Sequence, residues 1–235
     1  MTLDPKVTIE DIIHDYDAGV KNIEAEAKKN SERAYGGVVR SFKGKMLEKI
    51  AGHMVSIAWK ELGGNFDRIS LNASKIPIPI HPDYLKTLPS EVSRHIKDNI
   101  DKYTYRCGVD RHVFVDKNFV LGIECKAFAE NAMMKRILVD FNFLKSQHPE
   151  INCMLLQLES QLTGDYNAPA QEITYGSYST HTLMSHFPDV DLAIVTLLEG
   201  ERNVSKPIHK NFKPLKPEIL KKGIQHISGV LEKVI

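Results

Sequence analysis

Two carboxylates and one ammonium stand near one another in the middle of this chain, at Asp110, Glu124 and Lys126. Brought to one point, such a trio would hold a divalent metal ion and a water beside an electrophile. Hard carboxylate oxygens suit a partly hydrated Mg2+, and the ammonium could accept a proton from the water or stabilise the negative charge that develops. Side chains two apart on a strand project from one face, so Glu124 and Lys126 point the same way if their segment is extended.

The flanking residues argue that it is extended. Val113 and Val115 precede the polar stretch Asp116-Lys117-Asn118, and Val120 and Ile123 follow it. That pattern predicts two short β-branched strands joined by a tight turn. A hairpin folded about Lys117 and Asn118 carries Asp110 across from Glu124-Cys125-Lys126. Asp116 is the competing acid, but in the turn itself it lies too far along the hairpin. The bland alternative for the trio is a surface hairpin with an ordinary cross-strand ion pair.

An Asp on the first strand followed by Glu-x-Lys on the second resembles the core motif of the PD-(D/E)xK nucleases, with Val109 where the full signature carries proline. By its size and layout the chain is similar to the type II restriction endonucleases of that superfamily. The resemblance implies a Mg2+ site made by Asp110, Glu124 and the backbone carbonyl of Cys125, with Lys126 beside the attacking water. It also implies cleavage of double-stranded DNA at a short palindrome by a homodimer. Many members place a Glu on a helix ahead of the hairpin, and the segment ending in Met46-Leu47-Glu48 resembles that element, which makes Glu48 a fourth catalytic candidate. Against this, Glu48 lies off the Met46/Ile50/Met54/Ile57 stripe, as a solvent-facing residue would. Two other readings keep the fold: a DNA repair or junction-resolving nuclease, and a non-catalytic DNA-binding protein.

Specific cleavage needs groups that reach base edges as well as phosphates. Next to the motif in the chain are Asn131, suited to adenine, Arg136, suited to guanine, and Lys135, a phosphate candidate; each could equally be the polar face of a core helix. The long polar and aromatic segment 163–181 offers Asp165, Tyr166, Asn167, Gln171, Tyr175, Tyr178 and His181. It could instead form a dimer contact.

Composition sets the frame. A chain of 235 residues, 42% hydrophobic and 26% charged, fits one globular domain over 1–235. No run is long enough to span a bilayer, no signal peptide opens the chain, and three cysteines without paired spacing suit a cytoplasmic protein. Net charge is only +1, but residues 202–222 carry seven Lys or Arg against Glu218 alone. Such a stretch suits phosphate contacts or is simply a solvated basic face. No Gly-rich phosphate loop, nucleophile elbow or dinucleotide fingerprint is visible.

The remaining periodicities predict helices over 8–29, with Thr8 as N-cap, and over 37–62, stopped by Gly63-Gly64-Asn65. They predict a short strand over 66–71, an extended proline-rich arm over 76–82 and a helix over 90–101. After the hairpin come a helix over 127–145, buried strands over 151–158 and 190–198, and a helix over 217–234. This order predicts an α/β fold: a restriction-endonuclease-like core with a central mixed β-sheet flanked by helices on both faces.

Overall fold

The structure is a computed structural model and describes residues 3–29, 35–167 and 175–235. Helix α1 (Ile9–Lys29) starts at a reciprocal cap. Thr8 Oγ1 accepts from the Asp11 N–H at 3.2 Å, while the Asp11 carboxylate accepts from the Thr8 N–H at 2.9 Å. Helix α2 (Tyr35–Glu61) ends where Gly63 takes a φ of 72° and Gly64 lies against the Trp59 indole, so close that a Cβ at 64 would overlap the ring.

Beyond α2 the chain forms β1 (Ile69–Asn72), β2 (Ile76–Ile78), α3 (Pro82–Thr87), α4 (Ser90–Asp98), β3 (Tyr105–Cys107), β4 (Arg111–Val115) and β5 (Asn118–Ala129). It continues with α5 (Asn131–Gln147), β6 (Asn152–Ser160), α6 (Tyr178–Ser185), β7 (Leu192–Thr196) and α7 (Pro217–Leu231). The main sheet has the order β1-β4-β5-β6-β7. Its β1/β4 and β4/β5 pairs are antiparallel and its β5/β6 and β6/β7 pairs parallel. This is the mixed sheet expected, with helices on both faces.

Alternation along the strands divides the core. Leu121, Ile123 and Cys125 of β5, with Met154, Leu156 and Leu158 of β6, pack with residues of α2 and α7. Cys153 and Leu155 face the other way, among residues of α5. Gly122 shares that second face, where α5 approaches so closely that a Cβ would meet Phe141 at 2.9 Å. Burial on both faces explains the unbroken apolar run of β6.

The β4–β5 hairpin is tighter than the sequence suggested. Val115 pairs directly with Asn118, leaving a two-residue turn in which Asp116 and Lys117 take φ values of 49° and 69°. Positive φ at both positions is the type I′ turn, whose twist matches that of the strands. Arg68, just before β1, donates to the Asp116 carboxylate at 2.7 and 3.1 Å. Val113 faces Leu121 while Phe114 faces Phe119, so Val120 is an extra residue in a bulge.

Several boundaries differ from expectation; the strands expected over 66–71 and 190–198 are Ile69–Asn72, after a turn at 66–68, and Leu192–Thr196. The proline-rich arm forms a short strand, with Pro77 opposite Arg106 in the separate β2–β3 ribbon, where a missing N–H is tolerated at an edge. The helix expected from residue 127 starts at Asn131, because β6 pairs with β5 as far as Ala129 and that ladder outweighs helical periodicity. The helix over 90–101 ends at Asp98 and is followed by a 3-10 turn, Ile100–Tyr103. Among the described residues no helix is long and apolar enough to cross a membrane.

The feature that makes the site is a mismatch in strand length. The last β4–β5 rung is Arg111↔Ile123, but β5 continues to Ala129. Residues 124–129 therefore have β6 on one side and, among the described residues, no strand on the other.

Candidate active site

At that step in the sheet the expected trio comes together. Asp110 lies just beyond the end of β4, and its Oδ2 accepts from the N–H of Cys125 at 2.8 Å. The carboxylate thus takes the place of the missing strand on the first unpaired amide of β5. Lys126 Nζ lies 3.7 Å from Asp110 Oδ2 and 3.3 Å from the Cys125 carbonyl oxygen, and it bonds directly to Glu124 Oε1. Asp116 is far from this point, in its pairing with Arg68 at the turn.

Burial dominates the electrostatics. It raises the Glu124 carboxyl, the neighbouring Asp110 charge adds to the rise, and the Lys126 ammonium only partly opposes them. For Lys126 burial works toward the neutral amine, but Glu124 and then Asp110 outweigh it, and the group is held more firmly as an ammonium than a free lysine. Both neighbouring carboxylates thus favour the charged form of Lys126. The Cys125 thiol is buried in the core and pushed well above its usual range by that burial, so only its carbonyl belongs to the site.

The donor set fits a hard divalent cation. Asp110 Oδ2, Glu124 Oε1 and the Cys125 carbonyl oxygen, the three oxygens expected to bind Mg2+, all converge on one positive charge, that of Lys126. Among the described residues no group of three or more His, Cys, Asp or Glu is placed to hold a metal with side chains alone. The Cys125 carbonyl offers a third oxygen beside the two carboxylates.

Glu48 does not face solvent. Its Oε2 pairs with the Arg111 guanidinium at 2.8 Å, and the two side chains are 28% and 15% exposed. Arg111 also donates to the carbonyl of Asp110 at 2.9 Å, so one guanidinium ties α2 to the backbone of the metal-ligand candidate. Sequence reasoning passed over Arg111, because a strand neighbour of Asp110 is expected on the opposite face and Glu48 lies 63 positions away. On the far side of the same residue, His112 is fully buried and its Nε2 accepts from the N–H of Val109 at 3.2 Å. Burial, with help from Lys75 and His148, pulls its pKa down to about 4.

The DNA-reading candidates are placed unequally. Arg136 is 84% exposed on α5 and pairs with Asp140 at 3.5 Å, and Lys135 is exposed beside it. Both ends of the Asn131 amide are engaged, donating to Ser179 Oγ at 2.7 Å and accepting from Thr180 Oγ1 at 3.0 Å, which fastens α6 to the start of α5. Tyr175 is 81% exposed, and its carbonyl contacts His181 Nε2. Tyr166 is buried, away from the surface a base contact would need, and Asn167 is half-buried with its carbonyl accepting from Gly200. Gln171 lies outside the described residues. Tyr178, another candidate from the polar segment, is 97% exposed at the start of α6.

No family model matches the chain. It is 50% identical over 214 residues to the type II restriction enzyme DdeI of Desulfomicrobium norvegicum, an alignment covering 89% of this chain and 89% of that protein.

Proposed function

The chain belongs to the type II restriction endonucleases and is a sequence-specific DNA endonuclease, and from that premise we propose that it hydrolyses both strands of a short palindrome as a Mg2+-dependent homodimer, one restriction-endonuclease-like domain per subunit, acting in the cytoplasm. The observation that carries the assignment of the chemistry is the convergence of Asp110, Glu124, the Cys125 carbonyl and Lys126 at the unpaired end of β5.

In this reading Asp110, Glu124 and the Cys125 carbonyl hold the ion. Mg2+ bound there supplies Lewis-acid activation of a water and neutralises charge on the phosphate. The N–H of Cys125 fixes the Asp110 carboxylate, so that ligand is oriented before anything binds. Lys126 stabilises negative charge growing on the phosphate, using an ammonium already held beside both acids. Arg111 locks Glu48 and the Asp110 backbone together and so positions the first ligand. Lys135, Arg136, Tyr175 and His181 supply DNA contacts on the α5–α6 side, while Asn131 fastens α6 to the start of α5.

The test is to sequence the ends of a plasmid digested in Mg2+ by the wild type and by Lys126→Ala. Discrete ends at one palindromic sequence are expected from the wild type, with cleavage roughly 100- to 1000-fold slower in the variant, the usual cost of one preorganised electrostatic group. Smeared or junction-only cleavage would point to a repair or resolving nuclease. Retarded DNA in Ca2+ with no cutting in Mg2+ or Mn2+ would point to a binding protein.

A further inference from the structure

A second cluster of charge lies two residues along β5 from Lys126. Phe128 lies two residues beyond Lys126 on β5, roughly 7 Å along the strand, and pairs in register with Glu159 of β6. Over its ring sits the guanidinium of Arg202, 3.6 Å from the centroid. One arm of that guanidinium donates to Gln161 Oε1 at 2.7 Å, and the backbone N–H of Arg202 donates to the carbonyl of Ser160 at 2.8 Å. The guanidinium is therefore fixed in position by neutral partners, and it forms no ion pair with a carboxylate among the described residues.

Beside it on β6 is Glu159, whose side chain is only 5% exposed and pairs with Lys213 at 2.8 Å. Lys43 of α2 reaches the same point, where it feels the opposite charge of Glu159 and the like charge of Arg202, and burial pulls its ammonium below the ordinary lysine range. Two lysines thus act on one carboxylate, and one of them is its ion-pair partner. Along α2, Lys43 lies five residues before Glu48, the partner of Arg111.

We propose that Arg202, held over Phe128, forms a binding site for the backbone phosphate next to the scissile one on the same DNA strand, with Lys43 and Lys213 adding positive charge nearby. A half-buried excess of positive charge lacks only an anion. Arg202 presents the planar fork that matches phosphate oxygens, held flat by the ring beneath it. A strand whose scissile phosphate rests at Lys126 carries its neighbouring phosphate toward Phe128. This inference rests on the placement of the cleavage chemistry at Asp110, Glu124 and Lys126, but binding can test it without cleavage.

The experiment measures binding of a duplex in Ca2+ across a range of salt, using the sequence cut in the plasmid, or a mixed-sequence duplex if no discrete site emerges. Arg202→Ala is expected to bind about tenfold more weakly, the cost of one charge-assisted contact. Its plot of log affinity against log salt should be shallower by about 0.9, the slope of one phosphate. Lys43→Gln should flatten the plot similarly, and Arg202→Lys should recover part of the loss. A single neutral methylphosphonate placed next to the cleaved bond should weaken the wild type and leave Arg202→Ala almost unaffected. Inorganic phosphate competing only weakly, at the same concentration for wild type and variant, would show that the anion is recognised as part of DNA. An unchanged salt slope in both variants, or the same methylphosphonate penalty in wild type and Arg202→Ala, overturns the proposal. If the plasmid yields no discrete ends while the slope still falls, the cleavage reading fails and the phosphate site stands.

Discussion

Arg111 and Glu48 show how an ion pair between distant segments can hold the backbone of a candidate metal ligand. Their pair is mostly sheltered from water, and Arg111 also holds the carbonyl of Asp110. Glu48→Gln and Arg111→Gln should each lower stability by roughly 2 kcal/mol, because each leaves a partly buried charge without its partner. Chemical denaturation of the singles and the double should give a double that costs clearly less than their sum; strict additivity would mean that the pair is not coupled. A different constraint acts at His112. Its folded pKa of about 4 lies below the ordinary histidine value near 6.5, so folding favours the neutral ring. That contribution is fully present above about pH 6.5 and is lost as pH falls toward 4, up to roughly 3 kcal/mol. Urea midpoints measured across this range should fall more steeply for the wild type than for His112→Gln, and parallel curves would refute the assignment. The meeting of Asp110, Glu124 and Lys126 was legible in the sequence because residue type and two-residue alternation suffice to bring them together. Arg111 and the Arg202–Phe128 stack were not legible, since both depend on contacts between segments far apart in the chain.

At the scale of elements, the hairpin turn sets the register on which the trio depends. Asp116 and Lys117 both sit in the left-handed region, which costs a side-chain-bearing residue roughly 1 kcal/mol or more. Asp116 is compensated by Arg68, whereas Lys117 has no such partner in the turn. Lys117→Gly should therefore raise the denaturation free energy by about 1 kcal/mol with cleavage unchanged, and a loss of stability would argue against the I′ geometry. Most elements were visible in periodicity alone: α1 from its Thr8 cap, α7 from Pro217 and its apolar stripe, β6 from its unbroken run. What periodicity missed was the reach of β5 to Ala129. Ala127, Phe128 and Ala129 have no strong strand signature of their own, and only their ladder with β6 makes them strand. Long-range pairing of that kind leaves no local mark in the sequence.

For the whole molecule, a net charge of +1 hides a division of labour: acids crowd the first thirty residues and bases the stretch from Arg202 to Lys222. The proposed homodimer has a direct readout. With enzyme in excess, supercoiled plasmid should pass to linear without a build-up of nicked circles, since two sites act on one duplex, and sedimentation should give twice the chain mass; a monomer that accumulates nicked circles would contradict it. The tapering of the main sheet has a further consequence. A strand margin left bare is normally an invitation to self-association, and proteins guard such margins with charge. Glu124 and Lys126 stand on the bare stretch of β5, so the groups assigned to chemistry also serve as sentries against sticking. Replacing both with Gln should remove cleavage and, in the same protein, increase light scattering on gentle heating; a variant that stays clear at the wild-type temperature would show that the guard lies elsewhere.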